Sequence, residues 1–200
     1  MTAVDTIAKL EALYGTPGAP ALRKVARQMT PLYRSWIMTS RFCLLSTVGP
    51  DGTDGSPRGD DGAVVLELDP GHLAIPDWRG NNRLDSLRNI VSDGRASLLF
   101  LVPGSNTAVR VNGRAELSID DDLRARFEKN GRLPTTVIVI AIKEIYTQCA
   151  RALIRADLWA RDDSADLPTP GAILAEMTDG EEGGAPYDNA WDARAARTMW

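Results

Sequence analysis

Hydrophobic and polar positions follow two different periods along the chain, and the change falls near Arg41. Before Arg41, apolar residues recur three and four positions apart, which is the spacing of one helix face. Asp5 or Thr6 precedes the first such stretch and is a suitable N-cap. We expect these helices to cover one side of a core or to wrap a partner subunit. The predicted helices span residues 7–14, 22–29 and 31–38.

After Arg41 the chain breaks into short apolar or alternating runs, separated by turns rich in Gly, Pro and Asp. Such runs predict β-strands, and the Gly-Pro-Asp-Gly turn at 49–52 indicates a hairpin. Gly113 interrupts the longest alternating run and predicts a bulge there. About six antiparallel strands with short turns are typical of a mainly β fold, a small barrel with helical decoration. The predicted strands include 42–48, 63–68, 72–75, 96–102, 107–119 and 135–146.

Two helices are predicted within this β region. One spans 83–92, with Asn81 or Asn82 as its N-cap, and the other follows Asp120 as far as Lys129. Beyond the barrel, residues 161–200 carry nine acidic residues against three arginines and are rich in Pro and Gly. This composition predicts an acidic arm with one helical stretch at 172–177. The domains are therefore predicted as a helical segment 1–40, a barrel domain 41–160 and an acidic arm 161–200.

Composition narrows the class of protein. At 44% hydrophobic and 25% charged residues, the chain has the balance of a globular protein. No apolar run approaches the roughly 18 residues of a membrane helix, and no signal-peptide pattern opens the sequence, so a cytoplasmic location is expected. The formal net charge of -4 does not favour nucleic-acid binding.

Cysteine and histidine are too rare for several kinds of site. The chain has two cysteines and one histidine, which excludes a disulfide-rich scaffold and leaves no metal-binding spacing. Cys43 points inward together with Leu45 and is predicted to be a core residue, and His72 at a strand start is predicted to be a surface residue. If the protein is an enzyme, a cofactor is expected to bring the chemistry.

The most informative stretch for binding is 75–83, which runs from a strand end directly into a helix. Free N–H groups at a helix start and the helix dipole attract anions. Arg79 and Arg83 would add guanidinium groups, and Asn81 and Asn82 would add amide donors. The stretch therefore predicts a phosphate site. The alternative is a solvated loop with an asparagine cap and two surface arginines.

A second cluster, at 55–60, follows the predicted hairpin turn. Pro57 removes a backbone donor and Gly59 removes a side chain, so a flat ligand could approach the main chain with Arg58 beside it. A turn ending in a charged strand edge is the simpler local interpretation. Trp159, near the end of the β region, is either a core residue or a platform for a planar ligand.

Four ordered motifs together resemble the pyridoxamine 5′-phosphate oxidase-like family, and in particular its branch of FMN-binding flavoproteins. The resemblance covers about residues 30–160. The motifs are SPRGD at 56–60, IPDWRGNNRLDSLRNI at 75–90, RASLLFLVPG at 95–104 and RVNGRAEL at 110–117.

The resemblance implies a six-stranded antiparallel split β-barrel, a homodimer, and one FMN in each of two clefts at the subunit interface. It places Arg83 on the FMN phosphate, Arg58 and Gly59 beside the flavin ring, and Arg110 near the cleft. It also implies that Trp159, in the segment CARALIRADLW, approaches the flavin from the partner subunit. The implied cofactor-binding residues are Arg58, Gly59, Asp77, Arg79, Asn81, Asn82, Arg83, Arg110 and Trp159.

The sequence also departs from the family. Gln148 stands where this branch has histidine before the cysteine. The strand signature Arg-x-x-x-x-Lys of the oxidase itself is absent, as are its substrate-binding arginine and histidine near the end of the chain. Oxidation of pyridoxamine phosphate is therefore disfavoured, while flavin binding is less affected.

The leading hypothesis is an FMN-dependent oxidoreductase that moves a hydride between the flavin and a nicotinamide or small organic substrate. No side chain stands out as its acid or base, and no metal site is expected. One alternative is a non-catalytic flavin-binding or storage protein. Others are a split barrel that binds heme or a deazaflavin, and an interaction protein without flavin.

Overall fold

A computed structural model describes residues 2–200, so Met1 of the predicted segment 1–40 lies outside it. Seven antiparallel strands form one sheet, which confirms the mainly β barrel prediction with seven strands rather than six. The strands are β1 (Phe42–Gly49), β2 (Gly52–Gly59), β3 (Leu66–Asp69), β4 (His72–Asp77), β5 (Arg95–Leu101), β6 (Ala108–Ser118) and β7 (Thr136–Gln148). Their order across the sheet is β2-β1-β5-β6-β7-β4-β3.

Buried and more exposed side chains alternate along the strands, and the buried ones form a single core. Cys43 and Leu45 of β1 face inward together with Leu98 and Phe100 of β5, and all four are fully buried. Strand β7 is rich in β-branched residues, which suit a half-buried pleated surface. Its inward positions add further side chains to the same core.

The bulge predicted at Gly113 is present. The register between β6 and β7 shifts between Asn112 and Gly113. A Cβ at position 113 would overlap the carbonyl oxygen of Ala141, so only glycine allows the two strands to approach this closely.

Nine helices decorate the sheet within residues 2–200. Thr6 caps α1, as predicted, and Pro31 opens α3, whose Ile37 is buried in the core. None of the nine is long and apolar enough to cross a membrane. The helices are α1 (Ile7–Tyr14), α2 (Ala19–Arg23), α3 (Pro31–Thr39), α4 (Asp85–Ser92), α5 (Asp121–Ala125), α6 (Arg151–Ala156), α7 (Pro170–Met177), α8 (Gly184–Asn189) and α9 (Trp191–Thr198).

The predicted helix 22–29 is wrong. Helix α2 ends at Arg23, and Ala26 instead exchanges two backbone hydrogen bonds with Ile145 of β7, at 2.9 and 2.8 Å. Met29 is buried, and its N–H donates to the carbonyl of Pro70. Val25 and Ala26 are half-buried and Leu22 is exposed, so the apolar spacing reflects an extended segment that packs on the barrel and not one face of a helix.

Several boundaries also differ from the prediction. Strand β3 begins at Leu66 and not at 63, since Val64 is a core residue whose N–H donates to Ser40. Helix α5 ends at Ala125, well before Lys129. Residues 161–200 contain α8 and α9 as well as the predicted helical stretch.

Candidate functional site

A cavity of about 830 Å³ opens between the end of β2 and the loop that joins β4 to α4. Its size falls within the range of small-molecule pockets. Residues 54–61 form one wall, and residues 78–81 and 83–87 form the opposite wall. Val64, Ile75 and Pro76 contribute apolar surface, and Met199 and Trp200 close one side. The two stretches singled out in the sequence, 55–60 and 75–83, therefore meet at one pocket.

Arg58 projects from β2 into this pocket and is held there by Asp77. Its Nη1 donates to Oδ1 of Asp77 at 2.6 Å, and each side chain is only 17% exposed. The Nε of Arg58 is buried without a hydrogen-bond partner. Because a buried donor without a partner is costly, this N–H is available to an acceptor on a ligand.

Pro57 and Gly59 of β2 both line this wall of the pocket. Strand β2 is the edge of the sheet, where a proline does not break a ladder on its outer side. A Cβ at Gly59 would come no closer than 3.6 Å to protein atoms, so the glycine is not required for packing. Its backbone lines the pocket instead.

The opposite wall contains a tight turn before α4. Oδ1 of Asn81 accepts from the N–H of Arg83 at 3.1 Å, and both Asn82 and Leu84 have positive φ angles, 60° and 64°. The helix therefore begins at Asp85, and the predicted start at 83 with an asparagine N-cap is wrong. Asparagine side chains close local turns of this kind readily, which competes with helix capping.

The start of α4 faces the pocket without a side-chain cap. Leu84 occupies the N-cap position and has no side-chain oxygen to accept from the N–H groups of the first turn. Asp85, Ser86 and Leu87 of that turn line the pocket. Their backbone N–H groups and the helix dipole make this end of the pocket favourable for an anion.

The acidic residues on the β2 wall of the pocket each accept a hydrogen bond from a nearby side chain. Asp60 and Asp61 both bind Lys129, whose hydrogen bond lowers the pKa of the Asp61 carboxyl. Burial opposes the charge of Lys129, but the two carboxylates raise its pKa above the usual value. Asp54 accepts a hydrogen bond from Ser86.

The arginines of the loop are more exposed. Nε of Arg83 donates to Oδ2 of Asp85 at 2.8 Å, and its side chain is 75% exposed. Arg79 is exposed and forms no ion pair with any carboxylate in residues 2–200. Among the described residues, Arg79 is therefore a cation without a carboxylate partner next to the uncapped helix start.

Five of the nine predicted site residues line this pocket: Arg58, Gly59, Arg79, Asn81 and Arg83. Asp77 lies behind it and orients Arg58, and Asn82 shapes the turn without lining the cavity. Arg110 and Trp159 lie elsewhere in the single chain. Nη1 of Arg110 donates to the hydroxyl of Tyr146, and Nε1 of Trp159 donates to the carbonyl of Ser105. Their approach from a partner subunit stays a prediction.

Sequence reasoning missed two tryptophans of the pocket. Trp78 lies within the informative loop, and its Nε1 is buried without a partner. Trp200 is far away in the sequence, and its ring packs edge-on against Trp78 with a centroid distance of 5.5 Å. No local pattern around Trp200 could have indicated this contact.

The other candidate groups do not form a reactive site. Burial raises the pKa of the Cys43 thiol to about 12, and the side chain lies in the core. His72 is half-exposed, and its Nδ1 lies 3.0 Å from both carboxylate oxygens of Asp69. Within residues 2–200 there is no group of three or more metal-ligating side chains.

Comparison with protein families matches residues 29–149, which is more than half of the chain, to the family described as pyridoxamine 5′-phosphate oxidase. The chain belongs to the pyridoxamine 5′-phosphate oxidase family. The matched region contains all seven strands and α4. It includes every pocket residue except Met199 and Trp200, so this family member adds those two residues from outside the shared domain.

Solved structures with a similar fold come from several bacteria. The HupZ protein of Group A Streptococcus is 14% identical, with 60% of this chain and 94% of that chain covered and a TM-score of 0.49. General stress protein 26 of Bacillus anthracis is 19% identical, with 56% and 88% covered and a TM-score of 0.43. An FMN-binding protein of Syntrophomonas wolfei is 16% identical, with 58% and 88% covered and a TM-score of 0.41. Among curated proteins, no sequence matches this chain.

Proposed function

We propose that this family member binds FMN in the pocket between β2 and α4 and acts as a flavin-dependent oxidoreductase. One observation carries the proposal. The uncapped start of α4, with Arg79 and Arg83 beside it, opens into the same pocket as the partnerless Nε of Arg58. This donor set fits a ligand with a phosphate at one end and a flat, acceptor-bearing ring at the other.

The residues at the helix start would hold the phosphate. The N–H groups of the first turn of α4 supply donors, and Arg79 and Arg83 supply positive charge. Asn81 is committed to the turn through its oxygen, so it positions Arg83 and leaves its amide nitrogen for the ligand. A single phosphate site favours FMN over a dinucleotide, since no glycine fingerprint for a pyrophosphate accompanies it.

The other wall would hold the flavin ring. Arg58 is fixed by Asp77 and offers Nε to a ring acceptor, while the backbone at Gly59 leaves room for a flat group. Trp78 adds an aromatic surface and a further N–H donor. Bound FMN would supply hydride transfer at its N5 atom, with a nicotinamide or a small organic molecule as the other substrate.

The proton chemistry of the pocket is limited. Asp60 and Asp61 are paired with Lys129, and Asp54 accepts from Ser86. The side chains of the pocket therefore bind and orient, and none of these carboxylates is poised to act as a free general base. This observation favours a second candidate, a flavin-binding or storage protein without turnover.

The absorption spectrum and cofactor content of the purified protein test the proposal. FMN should be released on denaturation, or should bind on incubation with the protein. Recovery of FAD, heme or a deazaflavin, or no binding of FMN, would contradict FMN as the cofactor. Anaerobic addition of NADH or NADPH then separates the two candidates. In an oxidoreductase that accepts either donor, the bound flavin is reduced and loses its visible absorption. In a storage protein the flavin absorption is unchanged.

A further inference from the structure

Residues 191–200, hereafter the strap, reach the pocket from outside the family domain. Helix α9 makes up most of the strap and has no buried residue. The strap ends at the pocket, where Met199 and Trp200 form one side. The Trp200 ring meets the Trp78 ring edge-on, with the ring planes 78° apart.

The end of the strap is held by polar contacts from the segment between α5 and β7. Nη1 of Arg132 donates to the main-chain oxygen of Trp200 at 2.6 Å and to the carbonyl oxygen of Arg197 at 3.1 Å. Nζ of Lys129 lies 4.1 Å from the centre of the Trp200 ring, which is a cation–π contact. Lys129 also binds Asp60 and Asp61 of the pocket wall. One lysine therefore connects the strap to the pocket.

We propose that Trp200 is a ligand-contact residue, which the strap delivers to the pocket to cover the ring of the bound flavin and slow its release. The inference rests on the proposed function, since it concerns the same pocket. The cavity exists with Trp200 in place, so the indole acts as a wall and need not leave for a ligand to fit. Trp78 and Trp200 together give a planar ligand two aromatic surfaces.

The strap can open when the two hydrogen bonds from Arg132 and the Lys129 contact break. It buries no side chain of α9, and exposed elements with few buried contacts are the ones that open locally while the domain stays folded. A ligand can therefore enter past Trp200 without unfolding of the barrel. Closure afterwards places the indole over the bound ring.

The test compares Trp200→Ala with Trp191→Ala in the full chain. Trp191 lies at the other end of the same strap and is 54% exposed, but it does not line the pocket. Stopped-flow fluorescence should give FMN dissociation about 3- to 30-fold faster for Trp200→Ala, and unchanged dissociation for Trp191→Ala. Trp200→Phe keeps an aromatic ring, so its FMN dissociation rate should lie close to that of the wild type.

Riboflavin adds a second readout. Because Trp200 is proposed to cover the ring and not the phosphate, Trp200→Ala should lower the affinity for FMN and for riboflavin by the same factor. A loss for FMN alone would contradict a contact with the ring. If the wild type binds FMN and Trp200→Ala releases it at the same rate, the strap proposal is overturned. The proposed flavin function is then unaffected.

A wild-type protein that binds no flavin would overturn the proposed function and with it the flavin contact. Hydrogen–deuterium exchange of the ligand-free protein then tests whether the strap closes the pocket. Faster exchange in peptides covering 54–61 and 78–84 of Trp200→Ala, with no change in Trp191→Ala, would support closure. Equal exchange in the two variants and the wild type would overturn it.

Discussion

Arg58 on β2 and Asp77 on β4 form an ion pair of 2.6 Å, although four other strands separate β2 from β4 in the sheet. The sheet therefore curls until β2 faces β4, and at this point side chains and not a backbone ladder close the barrel. The gap that remains beside the pair is the pocket. The same two residues thus join the barrel and form the base of the candidate site.

Removal of Asp77 should destabilise the barrel. Asp77→Ala leaves the Arg58 guanidinium, which is only 17% exposed, without its carboxylate. Loss of one partner from such a pair should lower the free energy of unfolding by about 3 kcal/mol. Urea unfolding measures this loss. In the exposed pair Arg161–Asp163, the change Asp163→Ala should leave the free energy of unfolding nearly unchanged. Equal losses in the two variants would mean that the Arg58–Asp77 pair does not hold the barrel closed.

The parts of the fold that the sequence predicted well are those with strong local patterns. Alternation in β1, β-branched residues in β7 and the glycine at the β6 bulge each act through neighbouring positions. The site was predicted in part for the same reason, since 55–60 and 75–83 are local motifs. That the two motifs meet is a property of the curled sheet.

The parts that were not predictable depend on contacts between distant residues. Ala26 is in an extended bridge because Ile145 offers it hydrogen bonds, and no sequence spacing encodes that partner. Helix α4 starts late because Asn81 bonds to Arg83 and not to the helix. Trp200 contacts Trp78, Arg132 and Lys129, all of which are at least 68 positions away in the sequence.

Arg83→Ala should weaken the binding of FMN more than the binding of riboflavin. If Arg83 contacts the phosphate, its loss should reduce FMN affinity by about 30- to 1000-fold, or roughly 2–4 kcal/mol. The exposure of Arg83 and its pairing with Asp85 favour the lower part of that range. Riboflavin lacks the phosphate and should lose little affinity. Fluorescence titrations with both ligands measure the difference.

Arg88 provides the control for this experiment. It lies on α4, is exposed and does not line the pocket, so Arg88→Ala should change FMN affinity by about 0.5 kcal/mol or less. An equal loss of FMN and riboflavin affinity in Arg83→Ala would show that Arg83 does not bind the phosphate.

Gly113→Ala should be strongly destabilising. The new Cβ would overlap the carbonyl oxygen of Ala141, which is backbone and cannot move without breaking the pairing of β6 with β7. We expect a loss of about 2–4 kcal/mol in the free energy of unfolding by urea. Gly62→Ala is the control, since nothing lies within 4 Å of its added Cβ, and it should be nearly neutral. A neutral Gly113→Ala would mean that the strands can separate at the bulge.

The protein should be a homodimer. Helix α1 has no buried residue and exposes Ile7, Leu13 and Tyr14, which are 69%, 68% and 81% accessible. Apolar surface of this kind favours association. Light scattering should therefore give about twice the 21.7 kDa mass of the chain. A stable monomer that holds flavin would contradict both the dimer and the shared cleft.

Stability should fall at alkaline pH because of Cys43. Burial raises the pKa of its thiol from 9.0 to about 12, so the folded protein keeps a proton that the unfolded chain releases. A raised pKa contributes stability that is fully present below pH 9 and is lost as the pH rises toward 12. Between pH 8 and 10 the free energy of unfolding should fall by about 1 kcal/mol through this group.

Cys43→Ala isolates that contribution from the lysines and tyrosines that titrate in the same range. The variant should be less stable than the wild type at pH 8, because it leaves a small cavity, but the difference should shrink at pH 10. Cys149 is exposed and serves as the control. The free energy of unfolding of Cys149→Ser should differ from that of the wild type by the same amount at both pH values. Urea unfolding at the two pH values measures all three proteins. A constant difference between wild type and Cys43→Ala would contradict a raised thiol pKa in the folded state.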